Sequence, residues 1–162
     1  MGDTYTEQLV KRKNTGKTMV EKIALILLTI GIFVLGMMIP LLELVFLIMI
    51  GVDIYLFRSM DVEYEYMYIN GNLDVDKIMS KSRRKKMFEM NVSELELLAP
   101  AGSPELRPIQ GLKATDFTSR EEGRSVYEMI VLKNGEKRKI MFEPNAAIID
   151  GMRMYAPRKV VR

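Results

Sequence analysis

The feature that most constrains this chain is an unbroken apolar block. From Ile23 to Phe57 the only ionisable side chains are Glu43, Asp53 and the phenol of Tyr55. A helix needs about 20 apolar residues to cross a bilayer's hydrocarbon core. The block is too long for one untilted span and long enough for two short ones. Pro40 lacks a backbone donor and disfavours helix in Ile39, and Gly36 stands four residues before it. The sequence therefore predicts a helix over Val20 to Met38, a reversal near Pro40 and a second helix over Leu41 to Phe57. One long helix kinked at Pro40 is the alternative. A hairpin buried in a soluble core fits less well, because neither segment has a polar face. A cleaved signal peptide is not expected: a polar stretch precedes the block, and Gly36-Met37-Met38-Ile39-Pro40 is no cleavage site.

The average composition, 48% hydrophobic and 28% charged, conceals this segregation of apolar from charged residues, which marks a membrane protein. Lys11, Arg12, Lys13, Lys17 and Lys22 precede the block, Arg58 closes it, and the turn has no Lys or Arg. The positive-inside rule then predicts a multi-pass protein of the cell membrane with both termini in the cytoplasm. Glu43 would sit at the outer mouth. Asp53 would lie about one turn from the inner end, snorkelling or accepting from a neighbouring backbone donor. Both are candidate intramembrane polar residues, set against the plainer reading of hydrated helix ends. Gly31, Gly36 and Gly51 are small enough for close helix approach, but their spacing makes no GxxxG.

Cysteine and histidine are absent. That excludes disulfides, Cys/His zinc sites, Ser-His-Asp triads and Cys-His dyads. Carboxylate and lysine chemistry remain, yet the expectation is a protein that is not an enzyme and holds no cofactor.

Organisation follows as a basic cytoplasmic segment over 1–19, a transmembrane helical hairpin over 20–58 and a cytoplasmic β-rich domain over 59–162. Val62 to Ile69 alternates acidic and aromatic residues at period two, Asn70-Gly71 is a type I′ turn signal, and Asn72 to Met79 alternates again. Met87 to Val92 reads as a third strand, and Ser93 to Leu98 as a short helical turn or an extended continuation. Ala99 to Pro108 reads as a proline-marked loop and Leu112 to Phe117 as a further strand. Ser125 to Leu132 and Lys137 to Phe142 flank a second Asn-Gly turn at Asn134-Gly135. A closing helix then starts with Pro144 in its first turn and runs through Ala147, Ile148, Gly151, Met152 and Tyr155 to Pro157. The fold class is α+β, a small antiparallel β domain with one C-terminal helix behind the membrane hairpin. Thr4 to Lys13 is expected to form a short amphipathic helix with Tyr5, Leu9 and Val10 on one side.

The sharpest candidate site is the basic cluster Lys81, Arg83, Arg84, Lys85 and Lys86, suited to anionic lipid head groups or a protein partner. Its plain alternative is a solvated hairpin loop. Lys137, Arg138 and Lys139 would extend it. Balanced acids elsewhere argue against a nucleic-acid partner. Gly16-Lys17-Thr18 lacks the earlier glycine of a phosphate-binding loop, because Lys11 stands there. Glu63, Glu65, Asp74 and Asp76 read as the wet face of the hairpin, so no metal is expected.

Two membrane helices, antiparallel hairpins and a final helix, in that order, resemble bacterial membrane-anchored proteins with a pleckstrin-homology-like (PH-like) domain. Tyr64-Glu65-Tyr66 through Asn70-Gly71 and Leu73 to Ile78, followed by Arg83-Arg84-Lys85-Lys86, looks like that family's opening hairpin. Phe142-Glu143-Pro144-Asn145 looks like its close, so the match covers about Val62 to Ala156. The whole chain also resembles a family of small bacterial membrane proteins of unknown function. The resemblance implies paired sheets or a barrel capped by one helix, used as a binding platform. The expected function is a membrane-anchored, non-enzymatic binding or scaffolding module at the inner face of the bilayer. The alternative is an accessory subunit of a larger membrane complex.

Overall fold

A computed structural model describes residues 5–109 and 111–161. They form two compact units: a helical one of Lys13–Val62 with Met79–Arg83, and a β unit of 5–12, Glu63–Ile78 and 84–161.

The chain opens with strand β1 (Tyr5–Lys11) and continues into helices α1 (Gly16–Gly36) and α2 (Leu41–Ser59). Apolar side chains dominate both helices. The break falls where Pro40 places it: Leu42 N–H donates to the Ile39 carbonyl at 2.9 Å and Glu43 N–H to that of Pro40 at 3.2 Å. These bonds start a new helix with Pro40 at its N-cap, so the segment is two helices and not one kinked helix. The two run antiparallel, since Phe33 meets Phe46 at 5.0 Å between ring centroids and Thr29 reaches Asp53. With 21 residues, α1 is long and apolar enough to cross a membrane, extending about 30 Å. Most exposed large apolar side chains of the molecule lie between Met19 and Tyr55. The buried residues of the pair are Thr29, Gly36 and Asp53.

The β unit continues with β2 (Val62–Ile69), β3 (Asn72–Met79), β4 (Arg83–Asn91), β5 (Leu95–Pro100), β6 (Ala114–Asp116), β7 (Tyr127–Lys133), β8 (Glu136–Phe142) and α3 (Ala146–Tyr155). One sheet has the order β1-β2-β3-β4 and the other β5-β7-β8-β6. The Asn-Gly turns are as expected: both residues take positive φ at Asn70-Gly71 (46° and 87°) and at Asn134-Gly135 (55° and 80°). Period-two alternation sends Tyr64, Tyr66 and Tyr68 into the core. There Tyr66 packs edge-on to Phe142 of the other sheet at 5.7 Å, and Tyr64 to Phe117 at 5.4 Å. The Tyr66 hydroxyl donates to the Phe117 carbonyl at 2.6 Å, and burial raises its pKa. Helix α3 closes over Tyr68: a Cβ on Gly151 would lie 2.4 Å from the Tyr68 Cε1 atom, so only glycine fits.

Several expectations are corrected. Within the described residues, the stretch expected as an amphipathic helix over Thr4 to Lys13 is strand β1, paired antiparallel with β2 from Tyr5↔Ile69 to Lys11↔Glu63. Tyr5 and Leu9 are exposed and only Val10 is buried. Gln8 fixes this strand with its amide, donating to the Glu143 carbonyl and accepting from Asn145 N–H, both at 2.7 Å. The third strand begins at Arg83 rather than Met87. Ser93 to Leu98 takes both readings: a 3-10 turn over Val92–Glu94, capped by Asn91, and then β5. The loop expected from Ala99 to Pro108 holds the end of β5 and a 3-10 helix over Pro104–Ile109. Strand β6 joins β8 in parallel. Pro144 precedes the closing helix, whose cap is Asn145, with Oδ1 accepting from Ile148 N–H at 2.9 Å.

One consequence of β1 is topological. The helical pair is inserted between two neighbouring strands of one sheet.

Candidate functional site

The basic run is divided by the structure. Arg84 lies in the β unit, its Nη2 atom 2.7 Å from Glu65 Oε2 and its Nε 3.9 Å from Asp76 Oδ2. Those two acids belong to the group read as a wet face, yet both are buried. Burial raises the Glu65 pKa, and a shared bond with Glu7 adds to the rise against the pull of Arg84. Lys86 binds Glu89 at 2.8 Å and Asp74 at 3.3 Å, which raises its pKa. Lys81 and Lys85 are exposed. Lys137 and Lys139 face Glu96 and Glu128 at 2.8 and 2.6 Å, while Arg138 lies 3.7 Å from Glu136.

Arg83 is placed differently, in the helical unit. Its guanidinium lies 6.0 Å above the ring of Tyr55, near the end of α2. The tip between β3 and β4 makes this possible. Ser80 and Lys81 both have positive φ, 54° and 57°, a conformation that non-glycine residues rarely adopt. Bonds to the end of α2 hold the turn: Ser80 N–H donates to the Asp61 carbonyl at 3.1 Å and Ser80 Oγ to the Arg58 carbonyl at 2.9 Å. The result is a cleft of about 560 Å³ lined by Tyr55, Arg58, Ser59, Met79, Ser80, Ser82 and Arg83. Two guanidiniums, a phenol and three hydroxyl-bearing residues line it, without a carboxylate. Of these, sequence reasoning had marked only Arg83 as a site residue. The signal it passed over was a Tyr and an Arg three residues apart at the end of an apolar helix, facing a serine-rich turn.

The two intramembrane candidates also part company. Glu43 is exposed in the first turn of α2, where a negative charge complements the helix dipole. Asp53 takes a side-chain donor rather than the backbone donor expected. It is buried against α1, with Oδ2 accepting from Thr29 Oγ1 at 2.6 Å and no partner for Oδ1. Gly36 sits against the Glu43 backbone, while Gly31 and Gly51 face open space.

A second groove, of about 430 Å³, runs beside β1 and is lined by Gln8, Lys11, Ser119, Glu121, Arg124 and Glu143 among others. Its charges are of both signs, and three of them are already engaged. Arg124 meets Glu121 at 2.9 Å, and Glu143 accepts from Ser119 N–H and Oγ, each at 2.8 Å.

Comparison with curated proteins and with solved structures returns no match. The family model described as "Bacterial PH-like domain (DUF6106)" matches residues 2–162. That range takes in β1 and the helical pair as well as the span over Val62 to Ala156 on which the resemblance rested. Two sheets, a closing helix and this match together make the chain a member of the bacterial PH-like domain family.

Proposed function

We propose that this protein is a non-enzymatic binding module anchored in the cell membrane, with the helical pair spanning the bilayer and the β unit at its cytoplasmic face. The observation that carries the reading is the pairing of Lys11 with Glu63 on either side of the helices. If α1 crosses the membrane, the chain must come back, because β1 and β2 are neighbours in one sheet. Helix α2 is the only segment between them that can return it. Its Glu43, Asp53 and Arg58 lower its apolarity, but Glu43 and Arg58 stand at the ends and Asp53 turns inward to Thr29. The exposed apolar surface of both helices supports the same reading, since water would penalise it and lipid would not. The basic residues before α1 and at the end of α2 favour the cytoplasmic side for both flanks.

The accessory-subunit alternative draws on Glu43 and Asp53 as contacts for another protein's helices. Asp53 already spends Oδ2 on Thr29 within the pair and has only Oδ1 left for such a contact, so the anchored module is preferred.

The chain has no cysteine, so single introduced cysteines test the topology cleanly. In membranes of cells expressing the full chain, the protein is expected to resist alkaline carbonate extraction. A membrane-impermeant maleimide applied from outside should label Ile39→Cys and spare Ser103→Cys. Release by carbonate, or labelling of Ser103→Cys in intact cells, would sink the proposal.

A further inference from the structure

We infer that the cleft at the end of α2 receives a phosphate group, and that an anionic phospholipid presents it. This rests on the membrane reading above and deepens it by naming a ligand class and a site. Four guanidiniums of the β unit are matched to carboxylates: Arg12 to Asp116 at 2.7 Å, Arg84 to Glu65 at 2.7 Å, Arg120 to Asp116 at 2.9 Å and Arg124 to Glu121 at 2.9 Å. The cleft brings Arg58 and Arg83 together with no acid in its lining. Two cations facing the same cavity repel each other and favour an anion between them. Arginine supplies planar, paired donors that suit phosphate oxygens, and stacking over Tyr55 orients those of Arg83.

The position identifies the source of the phosphate. Tyr55 and Arg58 occupy the last turns of an apolar helix, the depth at which aromatic and basic side chains meet lipid head groups. A soluble phosphate ligand would not need the exposed apolar residues that run along the same helix up to Tyr55. The Ser80-Lys81 turn, held by the Arg58 and Asp61 carbonyls, carries Ser82 and Arg83 to this site instead of leaving them on the open edge of the sheet. The volume of about 560 Å³ lies in the ordinary range of small-molecule sites.

The test is native mass spectrometry of the full chain in a non-ionic detergent, titrated separately with dioleoyl phosphatidylglycerol, dioleoyl phosphatidylcholine and inorganic phosphate. One phosphatidylglycerol should be retained, with phosphatidylcholine roughly tenfold weaker or worse. Arg83→Gln and Arg58→Gln should each weaken retention by roughly tenfold, the usual scale for losing a charge-assisted contact. Arg83→Lys should fall between wild type and Arg83→Gln, because it keeps the charge and loses the fork. Lys81→Gln/Lys85→Gln, which leaves the cleft intact, should stay within about twofold, since exposed charges are screened. Circular dichroism melts that match wild type establish that each variant is folded, and Arg58→Gln serves if Arg83→Gln is not.

Equal retention of the two lipids would overturn the inference, as would a loss in the Lys81/Lys85 variant equal to that of the arginine variants. Inorganic phosphate binding as strongly as the lipid would overturn the membrane source. Carbonate extraction of the same proteins separates the two failures. A chain that stays in the membrane without lipid preference defeats the cleft and leaves the anchor standing. A chain that carbonate releases defeats both.

Discussion

The two units use the same apolar residues in opposite directions. In the helical pair Leu27 and Leu47 are 62% and 63% exposed, whereas Leu73, Leu95 and Leu98 of the β unit are fully buried. What the pair buries is a threonine, a glycine and an aspartate. Apolar side chains gather inward only where water drives them. Between helices in lipid that force is absent, and close packing with polar bonds takes its place. On the proposed anchoring, the contrast follows from the solvent each unit would meet.

That comparison breaks or sharpens at particular residues, read by amide hydrogen exchange on the full chain in detergent micelles, which follows each unit separately. The largest difference is expected between Phe142→Ala and Leu27→Ala. Phe142 is fully buried against Tyr66, and its truncation should cost the β unit about 3–5 kcal/mol. Leu27→Ala should leave both units within about 0.5 kcal/mol.

Glycines give a smaller contrast. Gly151→Ala forces a methyl onto the Tyr68 ring and should destabilise the β unit by about 1–3 kcal/mol. Gly51→Ala meets open space and should be neutral or stabilise α2, by up to about 1 kcal/mol. If Gly51→Ala proved as costly as Gly151→Ala, that face of α2 would have a packing partner and the comparison would fail there.

The smallest effect is electrostatic. Burial would raise the Asp116 pKa, but Thr118 N–H and Oγ1 donate to it, and Arg120 and Arg12 lie beside it, so the net shift is downward. A carboxyl lowered by folding adds stability above its unfolded pKa and loses it as pH falls through the folded one. Protection of the β unit should therefore decline on acidification below the ordinary aspartate range. Asp116→Asn should flatten that decline, while protection of α1 and α2 should not follow it.

Local chemistry was legible in the sequence, and distant pairing was not. Asn70-Gly71 and Asn134-Gly135 announced their turns because positive φ is written into those residue types. Strand β1 was misread because its partner lies beyond two helices, and because Tyr5, Leu9 and Val10 also fit a helical period. Glu65 and Asp76 looked wet until Arg84 folded over them. Asp53 was visible as a charge in an apolar run, but its donor Thr29 sits on the other helix. The cleft joins a helix end to a hairpin tip, so only Arg83 was marked in advance.

The insertion of the helices between β1 and β2 also has a consequence for synthesis. β1 leaves the ribosome first, yet its partner follows only after both helices have been made. The first strand must wait with its edge unpaired, an exposure that invites misassociation until β2 arrives. If the helices are anchored as proposed, their delivery to the bilayer would precede completion of the sheet. A fragment begun after the helices would lack an edge strand and Gln8's hold on the approach to α3. Proteolytic resistance of the β unit on stalled nascent chains would thus mark the moment at which the helical pair has been made and turned back.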